Sequence, residues 1–374
     1  MRRTFKYRLY PTKQQEAVLD RWLWLCRRLY NAALEQRTVA WKGSRVSVSR
    51  FAQKRELVDL KAGFPEFREI GAHVLADVVY RVDRSFAHFF RSYQAGGGFP
   101  KFQGRDRYNS LTFPDGNSWK LAGSRLMLAK CGPVRMALDR PIAGTIKTVT
   151  VKRTRAGRWF VCFSCDGVPA KEYPETVEAV GIDLGLSTLV TTNDGEKLGE
   201  TRFLKRSLKR LRRGQRHLSR QRRGSNRRHK TVQRLARLHE RTADQRRDMH
   251  HKVSTALVRR YGLIAHEDIS PAFMLANPRT ARAASDAGWA QLLRFLQWKA
   301  AEAGRTLVAV DPYNTSQACS GCGALVPKKL SERTHRCPHC GLVLERDWNA
   351  ARNILKRAQA GPSDANRTEG AVVR

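Results

Sequence analysis

The run from Thr315 to Ile354 constrains this chain more than any other stretch, because it carries two metal-type signals in succession. Four cysteines come in two pairs, Cys319-x-x-Cys322 and Cys337-x-x-Cys340, with fourteen residues between the pairs. Each pair sits in a short turn containing glycine, CSGCG and CPHCG. A tetrahedral zinc ion takes four thiolates at about 2.3 Å, and two such turns supply them. The gap is one residue short of the usual spacing window, a small departure for a loop. His335 and His339 flank the second pair, but four cysteines already satisfy the ion, so both are read as bystanders. Directly afterwards ERDWNAARNI sets Asp347 at a helix start, where a carboxylate is well placed to hold a second kind of metal.

Charge narrows the partner. The chain has 71 Lys+Arg against 33 Asp+Glu, a formal charge of +38. Neutralising phosphates and releasing their counterions is how basic proteins gain affinity for nucleic acid. A membrane-surface protein would confine its basic residues to an amphipathic helix, whereas here they are spread over most of the chain. MRRTFKYRLYP has no apolar signal core, and no apolar run approaches the ~20 residues of a spanning helix. Half of the eight cysteines are in metal-type pairs, which suits a reducing compartment. The expectation is a cytoplasmic, nucleoid-associated protein. Cys162 and Cys165, three apart in a strand, face opposite ways and cannot share a metal. Cys26 and Cys131 read as packed thiols.

The texture changes along the chain. Phe5 to Tyr10 alternate as a strand and stop at Pro11. Thr12 and Gln15 form a capping box, followed by Leu19, Trp22, Cys26, Leu29 and Ala33 at helical spacing. A second helix carries Leu75, Val78, Val82, Phe86 and Phe89 on one stripe. From Leu111 to Val168 the pattern becomes strand-like, with a hairpin of Ile146–Arg153 and Arg158–Cys165. Pro169 to Glu178 reads as a linker to a second domain.

That domain reads as an RNase H-like α/β fold. Ala179 to Gly185 is a buried strand carrying Asp183, and Ser187 to Asn193 returns beside it. Leu263 to Ile269 is another strand ending in acid, at Glu267. A helix over Gly288–Ala303 and a strand over Thr306–Asp311 follow. If the Glu267 strand lies parallel to the Asp183 strand, both acids emerge at one edge, where the Asp347 helix can add a third. Three converging acids repel unless cations intervene; two Mg²⁺ (or Mn²⁺) ions would relieve this, activate water and stabilise a leaving phosphodiester oxygen. GIDLG also opens actin-like ATPases and sugar kinases, but no second glycine-rich phosphate loop follows. Asp268 is read as pointing to the other strand face.

Arg202 to Arg241 holds seventeen Lys/Arg and one acid, Glu240. Leucines at 204, 208, 211 and 218, and at 235 and 238, recur at helical spacing, and Gly224-Ser225-Asn226 divides the run into a helical hairpin. One sign at this density repels itself unless it lies on a polyanion. Arg212, Arg213, Arg222, Arg223, Arg227 and Arg228 are therefore the candidate nucleic-acid contacts.

FKYRLYPTKQQ, RRLYNAAL, GFPKF, VGIDLGLSTLVTT, DMHHKVSTALVRRYGLIAHEDI, GWAQLLRFLQWKA, TSQACSGCG and RDWNAARNI together resemble the TnpB/OrfB family encoded by bacterial insertion sequences, relatives of the type V CRISPR effector nucleases. The likeness spans nearly the whole chain. It implies a multidomain fold, α+β and α/β: a wedge-type β-barrel over 1–12 and 105–175 with an inserted helical recognition domain over 13–104, helix-turn-helix-like at its start. A RuvC nuclease over 176–312 and 346–360 would follow, bearing the basic hairpin 202–241 and interrupted by a zinc ribbon over 313–345; 361–374 would be a disordered tail. By the match, Asp183, Glu267 and Asp347 would hold the catalytic metals, and Cys319, Cys322, Cys337 and Cys340 zinc. The implied activity is RNA-guided DNA cleavage, one chain per transposon-derived guide RNA, with a short DNA motif beside the target. Glu345 stands where the family often has aspartate and is read as outside the metal site. The intact acid triad argues against a nuclease-dead repressor. A tyrosine strand-transferase would want a His-hydrophobic-His pair, which this chain lacks. The remaining alternative is a DNA-binding transposition accessory or regulator without guided cleavage, which would have no use for the three acids.

Overall fold

In the computed structural model the described residues are 1–269, 275–278, 280–329 and 331–361. The chain divides into two units, Met1–Pro169 and Ala170–Arg374.

The first unit begins with β1 (Arg3–Tyr10), whose alternation buries Phe5, Tyr7 and Leu9. Pro11 ends it, and the capping box then starts α1 (Lys13–Ser44): Gln15 N donates to Thr12 Oγ1 at 3.3 Å, and Thr12 N to Gln15 Oε1 at 3.0 Å. The stripe of Leu19, Trp22, Cys26, Leu29 and Ala33 is buried throughout. No glycine or proline interrupts residues 13–42, so nothing breaks the helix for 32 residues. The turn comes only at Arg45, in left-handed geometry (φ 55), ahead of α2 (Arg50–Arg55), α3 (Leu57–Gly63) and α4 (Ala72–Ser92).

Six strands complete this unit: β2 (Ser110–Phe113), β3 (Trp119–Ala122), β4 (Arg125–Leu128), β5 (Gly132–Ala137), β6 (Thr145–Arg153) and β7 (Trp159–Asp166). They form a seven-stranded antiparallel sheet in the order β2-β6-β7-β1-β5-β4-β3. The sheet curls into a nearly closed barrel. Trp119 of edge strand β3 meets Phe163 of β7, four places away, with ring centroids 6.3 Å apart, whereas four flat inter-strand spacings would span about 19 Å. Helices and barrel share one hydrophobic core, from Phe5 and Leu19 through Val82 to Phe163.

In the second unit β8 (Ala179–Leu184), β9 (Thr188–Thr192) and β10 (Lys197–Glu200) form an antiparallel meander. The paired helices α5 (Phe203–Ser219) and α6 (Asn226–Arg260) follow, then β11 (Leu263–Glu267), α7 (Ala281–Ala287), α8 (Trp289–Glu302) and β12 (Thr306–Val310). The sheet order is β10-β9-β8-β11-β12, with β11 parallel to both β8 and β12. α6 does not stop at Arg241. It continues unbroken to Arg260, because Val253, Leu257 and Val258 bury its second half against the sheet. A small hairpin, β13 (Thr334–Arg336) and β14 (Val343–Glu345), leads into α9 (Arg346–Gln359). α9 lies close against β8 at Gly181, where an added Cβ would overlap the Ala351 carbonyl oxygen. The expected C-terminal tail lies, from 362 on, outside the described residues. Among the described residues no helix is long and apolar enough to cross a membrane.

Candidate metal centres and nucleic-acid interface

The sheet brings the three acids to one edge. His266 pairs with Ile182 across the parallel strands, so Asp183 and Glu267, each one residue further on, emerge side by side. Asp347 is the second residue of α9. Burial pushes the Asp183 carboxyl well above the usual range, and the charges of Glu267 and Asp347 push it further, against Arg346 and the Leu184 N–H. Burial likewise raises Glu267, opposed by the Thr315 hydroxyl, which donates to Glu267 Oε1, and by the charge of Arg357. Asp347 takes two hydrogen bonds from Arg346, each 3.2 Å, and lies 3.9 Å from the guanidinium of Arg333. Arg346 and Arg333 thus draw Asp347 while Thr315 holds Glu267. The carboxylates face a common edge without gathering as tightly as the cysteines do. Hard oxygen donors on neighbouring elements are the set that Mg²⁺ takes. Asp268 is exposed, with its N–H bonded to Val310 O at 2.9 Å, and Glu345 pairs with Lys197 at 2.7 Å; neither figures among the charges acting on Asp183.

The cysteines do converge on one point. Their four sulfurs lie within 4.8 Å of one another, with Cys319–Cys340 and Cys322–Cys337 each 3.6 Å apart. A tetrahedron of Zn–S bonds near 2.3 Å has S···S edges of about 3.8 Å, whereas a disulfide is about 2.05 Å. The two turns repeat the same backbone pattern. Gly323 N bonds Cys319 O (2.9 Å) and Cys319 N bonds Ala324 O (2.9 Å); Gly341 N bonds Cys337 O (3.0 Å) and Cys337 N bonds Leu342 O (2.9 Å). Gly323 (φ 81) and Gly341 (φ 73) take the left-handed conformation that each turn requires. Burial raises the Cys319 thiol, but hydrogen bonds from the Cys322 N–H, His335 and the Gly321 N–H prevail and bring it down to about 5. At Cys340 the Leu342 N–H lowers the thiol, while burial and the three neighbouring cysteines carry it up to about 12. Such a set accommodates four thiolates when a soft dication shares it. His339 is exposed, and His335 lies beside the cluster rather than within it.

Two asparagines of α9 tie it to the first cysteine turn. Asn349, fully buried, accepts from Ser320 N (2.9 Å) and donates to Ala318 O (2.8 Å). One turn on, Asn353 donates to Thr315 O and Ala318 O, both 2.8 Å. The first cysteine turn is thereby fastened to the helix that bears Asp347. The N-x-x-x-N spacing was the available signal, since positions four apart share a helix face. Arg352 is half-buried.

On the helical hairpin Arg212, Arg213, Arg222, Arg223 and Arg227 are exposed. Arg228 is half-buried and donates to Leu218 O (2.6 Å) and Gln221 O (3.3 Å), closing the C-terminal end of α5. Asp286 caps the other end, accepting from Leu204 N (2.9 and 2.8 Å) and Lys205 N (3.3 Å). A cavity of about 300 Å³ lies beside Asp347, lined also by Lys197, Arg202 and Arg333. A second, of about 390 Å³, shares Arg202 and Arg333 and adds Lys205 and Arg282. Sequence reasoning did not single out Arg333, which no charge run marks.

Three family models match the chain: "Helix-turn-helix domain" over residues 1–45, "Probable transposase" of the OrfB_IS605 type over 152–277, and "Cas12f1-like, TNB domain" over 289–354. A Streptomyces pristinaespiralis protein named "Putative RNA-guided DNA endonuclease" is 37% identical over 364 residues, 95% of this chain and 89% of that protein. The chain belongs to the TnpB/OrfB family. A family relative from Escherichia coli (strain K12), "Putative RNA-guided DNA endonuclease InsQ", is 30% identical over 374 residues, covering 95% of this chain and 92% of the relative. A solved Cas12f1–sgRNA–target DNA complex aligns with this TnpB/OrfB chain at TM-score 0.37 and 16% identity, over 96% of this chain and all of that one.

Proposed function

We propose that this chain is an RNA-guided DNA endonuclease of an insertion sequence, cleaving phosphodiesters with divalent metals held by Asp183, Glu267 and Asp347. The observation that carries the metal chemistry is the meeting of these acids from two parallel strands and a helix, strongly enough that each of the other two raises the Asp183 carboxyl. Relatives named for RNA-guided DNA cleavage, aligned along 95% of the chain, support the guided activity. A DNA-binding accessory or regulator is not favoured. The strand order around β8 supports an RNase H-like RuvC domain over 176–312 and 346–360, with 313–345 as its zinc ribbon. Residues 1–12 and 105–175 would be the wedge-type barrel and 13–104 the recognition helices.

Bound at the acids, divalent ions supply a more acidic water and charge neutralisation at the phosphate. The chain's own residues prepare the place. Thr315 fixes the orientation of Glu267, Arg346 steadies Asp347, and the β8–β11 register sets Asp183 against Glu267. The exposed arginines of α5 and α6 hold phosphates without reading bases. Zinc at the cysteines organises the ribbon, which Asn349 and Asn353 fasten to α9.

The test is reconstitution. Purified complex should contain a discrete RNA matching the end of its own element, and changing the guide segment should move the cut. Cleavage should require Mg²⁺ or Mn²⁺ and disappear in Asp183→Ala, Glu267→Ala and Asp347→Ala, with target binding kept. Cutting of the same site by RNA-free protein would replace this reading with a protein-directed nuclease. Full activity of Glu267→Ala would remove the site.

A further inference from the structure

α9 starts without a side-chain cap, since Glu345 precedes it in extended geometry and makes no capping bond. Its first turn nonetheless carries Asp347, whose placement therefore depends on contacts other than a cap. Asn193 supplies one. The ladder between β8 and β9 runs from Leu184–Val190 to Ile182–Thr192 and stops there, because the chain turns away at Asn193. The next donor of β8, Gly181 N, is met by a side chain instead and reaches Asn193 Oδ1 at 3.0 Å. The carbonyl of the same residue accepts from Trp348 Nε1 at 2.8 Å. Asn193 thus takes one hydrogen bond from just before Asp183 and another from just after Asp347. The turn that holds it is closed, with Gly195 N donating to Thr192 O (3.0 Å) and Thr192 N to Glu196 O (3.0 Å). Gly195 takes left-handed geometry (φ 87), and the Trp348 indole lies so near that an added Cβ would come within 3.1 Å of Cδ2 and 3.2 Å of Cε2. Only a bare backbone leaves room for the ring.

We propose that Asn193 and Trp348 are positioning residues of the acid site, tying Asp347 to Asp183 through the β9–β10 turn so that both carboxylates serve the same divalent cation. Neither is a ligand itself. The indole N–H can only donate, and Asn193 spends its side-chain oxygen on Gly181 N. The two aspartates need such a tie because they are held by different means. Asp183 stands on a strand paired on both sides, by β9 and β11. Asp347 stands at a helix start, drawn by the charges of Arg346 and Arg333, which pull without fixing a register. Trp348 adds a directional bond to a main-chain carbonyl, and the flat approach of its ring to Gly195 limits how far the turn of helix can roll. Small hard cations demand near-ideal geometry at about 2.1 Å, so a slight displacement of one carboxylate weakens binding. Removing groups that orient metal ligands lowers metal affinity by about 10- to 100-fold.

The proposal rests on the reading of the three acids as a divalent-metal site, and its test needs neither guide RNA nor cleavage. Full-length protein with zinc at its cysteines is titrated with Mn²⁺, and the free ion is read from its electron paramagnetic resonance. Asp183→Ala marks the uptake that belongs to the acids. Trp348→Phe keeps an aromatic ring against Gly195 but removes the donor; it should bind Mn²⁺ about tenfold more weakly or worse. Asn193→Ala, which strips the acceptor from Gly181 N, should do the same. Residues that merely stabilise the fold would lower the melting temperature in chelator and leave Mn²⁺ affinity alone. Native Mn²⁺ affinity in both variants would therefore overturn the proposal, whatever their melting temperatures. Should Trp348→Phe not fold, Trp348→benzothienylalanine takes its place, a ring of the same shape in which sulfur stands where indole has its N–H. Weaker Mn²⁺ binding is expected there too, and native binding would count against the tie. Native protein whose Mn²⁺ uptake survives Asp183→Ala unchanged would defeat the acid-site reading itself, and this proposal with it.

Discussion

Asn349→Ala should loosen the cysteine turn from the helix that carries Asp347, and the hydrogen-bond pattern sets the size of the effect. Two bonds vanish, but their partners fare differently. Ala318 O keeps its bond from Asn353, whereas Ser320 N has no other partner among the described hydrogen bonds. One lost bond and one orphaned buried N–H come to about 2–4 kcal/mol. In a unit of this size, about 2–4 °C of melting temperature per kcal/mol gives a fall of very roughly 4–16 °C in the transition of the second unit. Asn353→Ala should cost less, since it orphans only Thr315 O, a carbonyl, while Asn349 still serves Ala318 O. The double variant should be worse than the sum, because Ala318 O then loses both donors, with a coupling of about 0.5–3 kcal/mol. Thermal melting with zinc present, together with amide exchange at Ser320, reads all three. An unchanged melt and a protected Ser320 amide in Asn349→Ala would refute the latch; strict additivity would refute the shared carbonyl.

Three further outcomes are expected. Asp183 and Glu267 have raised pKa values in the folded protein, so in chelator each gives most stability below its unfolded pKa and loses it as pH rises through the folded value; Asp183→Asn should therefore melt higher than native protein in chelator at neutral pH and lower the pH dependence, and an equal or lower melt there would contradict the clustering. Neutralising Arg212, Arg213, Arg222 and Arg223 should weaken binding to all DNA sequences alike and flatten the salt slope by up to about 3–4, at about 0.9 per phosphate; an unchanged slope would make the hairpin a solvated face. Cys319→Ser should drop zinc below one per chain and lose local order in the ribbon, as followed by metal analysis; well-folded native protein free of zinc would count against the site.

Local signals reached far into this fold. Thr12 and Gln15 announced a helix start, the alternation of Phe5, Tyr7 and Leu9 announced a strand, and the acids at 183 and 267 stood at the ends of apolar runs. Each depends on residues within one element, where period and cap are written in adjacent positions. What stayed hidden depends on distance along the chain. Nothing near Trp119 says that it will pack on Phe163, so the closing curl of the barrel is invisible in its strands. The length of α6 was masked because its basic half and its apolar half look like different elements. Arg228 belongs by composition to the exposed run, yet spends hydrogen bonds on the carbonyls of α5. His335 looked superfluous beside four cysteines, and its burial became legible only with β13 in place.

Gly181 has a genetic corollary. Every missense change of a glycine codon adds at least a Cβ, and here that atom would strike the backbone of α9 at Ala351 and crowd Leu355. The helix would have to lift from β8, carrying Asp347 away from Asp183. A single nucleotide change could thus silence a copy of the gene while every acid and cysteine remained spelled out in its sequence. Surveys that sort working copies from relics by their carboxylates alone would count such a copy as alive, and the glycine two places before the first aspartate is the position that would tell them apart.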